Sequence, residues 1–232
     1  MEIQAAIAKV DRYSSPEQGD KVEVIERPNG GISFVMAEGK ISGQRSKAVT
    51  MKAVHRTMSL ISEGIHDGAS ARAVLSGIKS EHQNHAEVNL SILSCDLESG
   101  TIVITKNHPI PIILIRDGLI DLLRLEPDSE DNLKGNPCVY QFAFEAESTF
   151  VLFSDGVYSA GQQTNQLIDL PMELESMIED QEPSVEELAD FILTRAINQD
   201  TGRPRDDMTV LVIKIATSKV KDIRKVSIHF PL

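Results

Sequence analysis

Cysteine is scarce in this sequence: Cys95 and Cys138 are the only two, and no CxxC pair is present. Small secreted folds are usually held together by several disulfides, and structural zinc sites usually use closely spaced cysteines. The scarcity therefore argues against both classes and favours a protein whose two thiols stay reduced in a cytosol.

Long hydrophobic runs are also missing. No apolar stretch approaches the roughly 20 residues that a membrane-spanning helix needs. Residues 1–11 do not show the basic segment followed by an apolar segment that marks a secretory signal. We therefore expect a cytoplasmic protein with no membrane partner.

Basic residues are in the minority. The chain has 23 lysines and arginines against 35 aspartates and glutamates, which gives a formal net charge of -12. Such a chain repels nucleic acid and anionic membrane surfaces, so we expect no nucleic-acid partner. The acidity either supplies carboxylates for hard divalent cations, which prefer oxygen ligands, or forms a solvated acidic surface. Composition alone leaves both interpretations open.

Hydrophobic residues are present in the proportion of an ordinary globular protein. They make up 41% of the 232 residues, and charged residues make up 25%. A chain of this length can bury one sizeable core. We therefore expect a single domain over residues 1–216, followed by a C-terminal extension over 217–232 that adds a strand or is loosely ordered.

Alternating hydrophobicity and turn sequences predict several short strands, and helical spacing separates them into groups. The predicted strands cover residues 1–10, 21–26 and 32–37, then four segments of a meander between 87 and 125, a pair at 139–144 and 149–153, and 208–215. The predicted helices cover 44–63, 67–81 and two segments between 167 and 198, the second of which begins at Pro183-Ser184. This order predicts an α+β domain in which helices cover antiparallel sheets.

Acidic residues recur where predicted strands meet turns that mostly contain glycine. These positions are Gly19-Asp20, Glu38-Gly39, Asp155-Gly156 and Asp206-Asp207. Carboxylates projected from rigid strand ends can converge on one rim of a layered sheet protein, as a site for hard cations requires. Each dipeptide alone is a common turn sequence, so only the set as a whole indicates a site.

Longer motifs occur in a fixed order around these acidic positions. They are Gly19-Asp20, Phe34 to Gly43, Asn107-His108-Pro109, Leu152 to Val157 and Arg205 to Val212. With them the sequence resembles the metal-dependent serine/threonine protein phosphatases of type 2C, in the bacterial branch of stage II sporulation protein E and the phosphatases that regulate sigma factors. The resemblance spans residues 14–216 and implies an α-β-β-α sandwich with two antiparallel sheets flanked by helices.

The resemblance also implies a site for two divalent cations, Mn2+ or Mg2+. The implied ligands are the carboxylates of Asp20, Glu38, Asp155 and Asp206 and the carbonyl of Gly39. Asp207 either supports this ligand set or is a turn residue before the last strand. The implied reaction is attack by a water that bridges the cations on a phosphoserine or phosphothreonine, without a phosphoenzyme. The implied substrate is a regulatory protein of the anti-sigma antagonist type in stress-response signalling.

Three positions differ from the family's usual motifs. Glu38 stands where aspartate is usual, and its extra methylene suits Mn2+ better than Mg2+, which needs near-ideal octahedral geometry. Ile41 replaces a glycine, and the Ala-Gly that usually precedes His108 is missing. The change at Glu38 keeps a second hypothesis open, a catalytically weak or inactive phosphatase-fold protein that binds a partner.

Two side chains near these motifs have open roles. His108 either donates a proton or contacts substrate, or it is a structural residue of its turn. Lys40 either binds a phosphate oxygen or is solvated. A third hypothesis treats all the acidic dipeptides as ordinary turns of a sheet protein, and defined, saturable manganese binding would exclude it.

Overall fold

The computed structural model describes residues 1–13, 19–124, 136–180, 182–218 and 226–229. The strands are β1 Glu2–Val10, β2 Asp20–Glu26, β3 Gly31–Ile41, β4 Gln44–Arg45, β5 Ala86–Asp96, β6 Thr101–Lys106, β7 Ile112–Arg116, β8 Leu119–Leu123, β9 Cys138–Ala143, β10 Ser148–Phe153 and β11 Met208–Ala216. The helices are α1 Lys47–Ser62, α2 Asp67–Glu81, α3 Asp155–Tyr158, α4 Leu170–Asp180 and α5 Val185–Gln199, with a short 3-10 helix at Gln162–Thr164. Within the described residues, no helix is both long enough and apolar enough to span a membrane.

The strands form two antiparallel sheets. The first sheet has the order β1-β11-β10-β7-β8, and the second has the order β2-β3-β5-β6-β9 with the short β4 beside β3. Helices α4 and α5 pack on the outer face of the first sheet, and α1 and α2 pack on the outer face of the second. The predicted α+β fold, an α-β-β-α sandwich of two antiparallel sheets flanked by helices, is therefore confirmed.

Side chains of the central strands point alternately to the two faces of each sheet and so form three apolar layers. One lies between the sheets, and the other two lie between each sheet and its helices. In β5, Leu93 and Cys95 point between the two sheets, whereas Ile92 packs with α1 and α2 on the outer face. In β11, Leu211 and Ile213 likewise face the opposite sheet. Because side chains of a strand alternate between its faces, a strand that is covered on both faces is apolar throughout.

The helix ends follow the signals in the sequence. Helix α1 covers 47–62 instead of the predicted 44–63, because residues 44 and 45 form β4. It begins after Ser46, whose side chain accepts a hydrogen bond from the Val49 amide, and Gly64, with a φ of 85°, follows its C-cap Glu63. Helix α2 has the predicted bounds, 67–81. Ser184 and Glu187 form a reciprocal capping box at the start of α5, as the Pro183-Ser184 signal indicates.

Two local features differ from the predictions. Strand β3 continues to Ile41 instead of ending near Ala37, because β4 and β5 both pair with its last residues. Glu38 therefore lies inside a strand rather than in a turn. Asp155 begins α3, a single helical turn of 4 residues that the sequence pattern does not predict.

The strands between residues 86 and 153 are divided between the sheets, so the predicted meander and the predicted strand pair are wrong. Strands β5 and β6 belong to the second sheet, whereas β7 and β8 belong to the first. Strand β9 pairs with β6, and β10 pairs with β7 and β11. The rings of Phe142 and Phe150, in β9 and β10, meet across the sandwich with centroids 5.5 Å apart.

Parts of the remaining predictions fall outside the described residues. They are residues 126–135, which the sequence predicts to be a loop between the strand segments ending at 125 and beginning at 139, and residues 219–225 and 230–232 of the predicted extension. Residues 226–229 form no strand. The division of the chain at residue 216 stays a prediction.

The start of β3 offers a matched test of the sheet that carries Glu38. Gly31 has a φ of 107°, and a Cβ there would overlap the carbonyl oxygen of Cys95; Gly30 has a φ of 91°, but the nearest atom to its Cβ would be 3.8 Å away. We expect Gly31→Ala to lower the free energy of unfolding by roughly 3 kcal/mol or more, since it adds a clash to backbone strain. Gly30→Ala should cost about 1 kcal/mol. Urea denaturation measures both, and equal effects would contradict the pairing of β3 with β5.

Candidate metal centre

Three carboxylates meet at one end of the two sheets. Asp20 is the first residue of β2 and lies directly opposite Glu38 of β3. Asp155 is the first residue of α3 and follows β10 in the other sheet. One oxygen of each side chain lies within 4.8 Å of the others, so one metal ion could be bound by all three. The structure thus brings together three of the four carboxylates that the sequence indicates as ligands.

The Asp20 side chain connects the two sheets and keeps one oxygen available. Asp20 is 2% exposed, and Thr209 Oγ1 of β11 donates a hydrogen bond to its Oδ2 at 3.0 Å. Among the described residues, no group donates a hydrogen bond to Asp20 Oδ1. A buried carboxylate oxygen without a partner is unfavourable, and a bound cation would satisfy it. The residues present therefore fit a divalent cation.

Burial and mutual repulsion perturb two of these acids. Burial, and next the charge of Glu38, raise the pKa of Asp20 to about 7. Burial, and next the charge of Asp155, raise the pKa of Glu38 to about 7 as well. Both effects disfavour the charged form of the carboxylate. The cluster consequently needs nearby cations to be fully ionised at neutral pH.

Two basic side chains lie among the carboxylates. Lys40 Nζ is 3.0 Å from Glu38 Oε1 and 3.2 Å from Asp155 Oδ2. Arg45 Nη2 is 3.2 Å from Glu38 Oε1 and 3.6 Å from Asp155 Oδ1, and it also contacts Asp206 Oδ1. Burial alone would lower the pKa of both basic groups, but the surrounding carboxylates raise it. Both therefore act as positive charges inside the site.

The other two ligands implied by the sequence are engaged with other partners. Asp206 contacts Arg45, and within the described residues it does not join the group of three carboxylates. The Gly39 carbonyl accepts a hydrogen bond from the Ser46 amide at 2.8 Å. A Cβ at Gly39 would lie 2.8 Å from the Thr50 nitrogen, so this glycine also allows β3 to approach α1 closely.

Asp207 holds the loop that carries Asp20. Its side chain is fully buried and accepts hydrogen bonds from the backbone amides of Arg12 at 2.9 Å, of Asp20 at 3.1 Å, and of Gly19. Arg45 Nη1 is 3.2 Å from the same carboxylate. Asp207 therefore ties the beginning of β2 to the segment that precedes β11.

His108 lies on the wall of a small cavity that also contacts the three carboxylates. Its Nε2 is 2.7 Å from Ser91 Oγ, and its Nδ1 has no hydrogen-bond partner among the described residues. Burial, and next the charge of Lys106, lower the pKa of His108 to about 3, so the ring is neutral at physiological pH. The cavity volume of about 20 Å³ leaves room for one water molecule or one small ion.

Three side chains that shape the site were not found by sequence reasoning. Thr209 follows the Asp206-Asp207 pair, and this proximity is a signal that could have been used. Lys106 is buried beside the 107–111 turn, donates to the Ile110 carbonyl, and has a pKa that burial lowers to about 8. Nothing in the sequence around Arg45 indicates that its side chain lies among the acids.

The fold and this acidic group define a class of protein. The phosphatase domain of SpoIIE from Bacillus subtilis has the same fold, with a TM-score of 0.71 at 17% identity over 99% of this chain and 98% of that one. The catalytic domain of the serine/threonine protein phosphatase PstP, in complex with 2 manganese ions, gives a TM-score of 0.67 at 15% identity over 93% of this chain and 99% of that one. The chain therefore has the fold of the PP2C-type serine/threonine phosphatases.

The sequence comparison identifies the family within that class. Residues 28–216 match the family described as stage II sporulation protein E (SpoIIE). The stage II sporulation protein E of Priestia megaterium is 22% identical over 215 residues, which cover 92% of this chain but only 36% of that relative. The chain belongs to the stage II sporulation protein E family, as its motifs indicate, and it spans about a third of the curated relative's length.

The contacts of Asp207 and Asp206 predict different effects on stability. We expect Asp207→Ala to lower the free energy of unfolding by roughly 3 kcal/mol, because it leaves buried amides of the Asp20 loop without an acceptor. Asp206→Ala, at a partly exposed carboxylate, should change it by about 1 kcal/mol or less. Urea denaturation of both variants without metal measures the difference. Equal losses would contradict the anchoring role of Asp207.

The raised pKa of Asp20 predicts a pH dependence of stability without metal. Between about pH 4 and pH 7 the folded chain keeps a proton at Asp20 that the unfolded chain has released, so its free energy of unfolding falls as pH rises through this window. Asp20→Asn lacks this titration and keeps an oxygen for Thr209. We therefore expect the variant's free energy of unfolding, relative to the parent's, to increase by on the order of 2 kcal/mol from pH 5 to pH 8. Chemical denaturation at several pH values measures both free energies of unfolding. If the difference between variant and parent stays constant over this range, the raised pKa of Asp20 is contradicted.

Proposed function

We propose that this chain is a metal-dependent phosphoprotein phosphatase that hydrolyses a phosphoserine or phosphothreonine monoester. The observation that carries the proposal is the convergence of Asp20, Glu38 and Asp155 from both sheets, with one buried oxygen of Asp20 left without a hydrogen-bond partner. Membership of a phosphatase family supports the same reaction class. In this proposal the three carboxylates are the primary metal ligands.

The proposed cofactor is a pair of divalent cations. Asp20, Glu38 and Asp155 would hold the first, and Asp206 with the Gly39 carbonyl would contribute to the second. Two bound cations would supply a water of lowered pKa between them and would neutralise charge on the phosphoryl group. The longer side chain of Glu38 favours Mn2+ over the geometrically stricter Mg2+.

The chain's own groups have supporting roles in this proposal. When Ser91 donates to Nε2 of the neutral His108 ring, Nδ1 carries the hydrogen and can donate a hydrogen bond, without transferring the proton, to an oxygen of the phosphate ester. Lys40, whose side chain is 30% exposed, can reach a phosphate oxygen at the edge of the acidic group. Asp207 does not touch substrate in this proposal and positions the loop of Asp20.

The proposed substrate is a phosphorylated regulatory protein of the anti-sigma antagonist type in stress-response signalling. This part rests on the family alone and is an analogy. A net charge of -12 is unfavourable for nucleic acid or an anionic membrane as a partner. The two free thiols, Cys95 and Cys138, are consistent with a cytoplasmic location.

A second candidate function has a specific observation in its favour. Lys40 and Arg45 already neutralise part of the acidic group, and Glu38 carries an extra methylene where the family usually has an aspartate. Both features would lower metal occupancy or distort it. The alternative is a phosphatase-fold protein with weak or no catalysis that acts by binding a partner.

Phosphate release with manganese distinguishes the two functions. We expect the parent chain to hydrolyse an aryl phosphate and a phosphoserine peptide when Mn2+ is present, and Glu38→Asp to retain or raise that rate. Asp155→Asn should lower the rate on the order of 100-fold or more, since it removes a primary ligand. If neither the parent nor Glu38→Asp releases phosphate, the phosphatase proposal fails and the partner-binding function is favoured.

A further inference from the structure

Arg45 occupies the part of the acidic group that the second cation would need. Its backbone is fixed in β4, opposite Lys40 of β3, and its side chain is 13% exposed. From there the guanidinium reaches carboxylates of three separate elements. These are Glu38 in β3, Asp155 in α3, and Asp206 and Asp207 before β11.

A guanidinium in this position is a permanent charge. Arginine does not lose its proton in proteins, so Arg45 cannot become neutral when another cation arrives. A buried charge of this kind is stable only while carboxylates compensate it. Arg45 and a divalent ion at Asp206 would therefore use the same compensating charge and would repel each other.

The first cation position is different. Arg45 also lies beside two ligands of this position, Glu38 and Asp155, but Asp20 has no direct ion pair with it among the described contacts, and Asp20 Oδ1 has no hydrogen-bond partner there. The cavity beside it, of about 20 Å³, has room for one ion. Lys40 also faces this position, but it is more exposed than Arg45, and its side chain can turn into solvent, where water solvates the charge that leaves Glu38 and Asp155.

We infer that Arg45 is a built-in competitor for the second divalent cation, so that the centre fills in two steps. The first ion binds at Asp20, Glu38 and Asp155 while Arg45 remains in place, and the second binds only when the guanidinium leaves Asp206. This inference rests on the proposed metal-dependent function and specifies how its cofactor is loaded.

Manganese titration of the metal-free chain tests the inference without an activity assay. Isothermal calorimetry, with free Mn2+ counted by electron paramagnetic resonance, gives the number and the affinity of sites. We expect the parent to show one strong site and a second at least tenfold weaker. Arg45→Gln removes the charge and should tighten the second site at least tenfold, and the first site by a smaller factor, because Arg45 also pairs with Glu38 and Asp155.

Two matched variants separate charge from structure. Arg45→Lys keeps a positive charge and should keep the second site weak. Adding Asp206→Asn to Arg45→Gln should weaken the second site again, because a ligand is lost. Thermal melting shows whether each variant is folded, and Arg45→Met, which also lacks the charge, replaces Arg45→Gln if that variant does not fold, with the same tightening of the second site expected.

The outcomes distinguish this inference from the proposed function. Two strong sites in the parent that Arg45→Gln leaves unchanged would overturn the competition while leaving the metal centre intact. Loss of all binding in a folded Arg45→Gln would also overturn it, since Arg45 would then organise the site. No saturable binding in the parent or in any variant would overturn both the inference and the proposed metal centre.

Discussion

Repulsion between buried carboxylates is the constraint on which the rest of this site depends. Asp20 and Glu38 face each other across a strand pair, with Asp155 beside them, and burial raises the pKa of the first two to about 7. Two like unit charges about 4 Å apart repel by roughly 4 kcal/mol at an effective dielectric constant of about 20. The fold tolerates this cost because three apolar layers stabilise the sheets and helices independently of the site. The same repulsion makes positive charge strongly favourable here.

The fold keeps the acids together through contacts between the two ends of the chain. Asp207, just before the last strand, accepts backbone hydrogen bonds from Arg12, Gly19 and Asp20. Thr209 adds a hydrogen bond to the Asp20 carboxylate from the same segment. Because β2 and β11 belong to different sheets, these bonds also fix the two sheets at the end where the carboxylates meet. The position of Asp20 therefore depends on the complete sandwich and not on its own loop alone.

Much of the fold was predictable because it follows from local patterns. Helix α2 has the predicted bounds, and the Ser184 signal marks the start of α5, since caps and periodicity are encoded within a few residues. Assignment of β7 and β8 to the first sheet was not predictable, because strand pairing depends on contacts distant in sequence. The site likewise has a predictable and an unpredictable part. Asp20, Glu38 and Asp155 stand in recognisable sequence motifs. Arg45 could not be predicted, because only the β3–β4 turn brings its side chain to the acids. The buried role of Asp207 was visible only from the backbone amides that donate hydrogen bonds to its carboxylate.

The charge balance of the site shows why the position of Arg45 matters for either function. The five carboxylates at positions 20, 38, 155, 206 and 207 are opposed by Lys40 and Arg45, which leaves a formal charge of -3 if all are ionised. One divalent ion would nearly neutralise this charge, and a second would reverse its sign while Arg45 remains. With Arg45 withdrawn and Lys40 in place, the formal charge is -4, which two divalent ions neutralise. Because a low-dielectric site penalises uncompensated charge of either sign, the arginine and the second ion are alternatives.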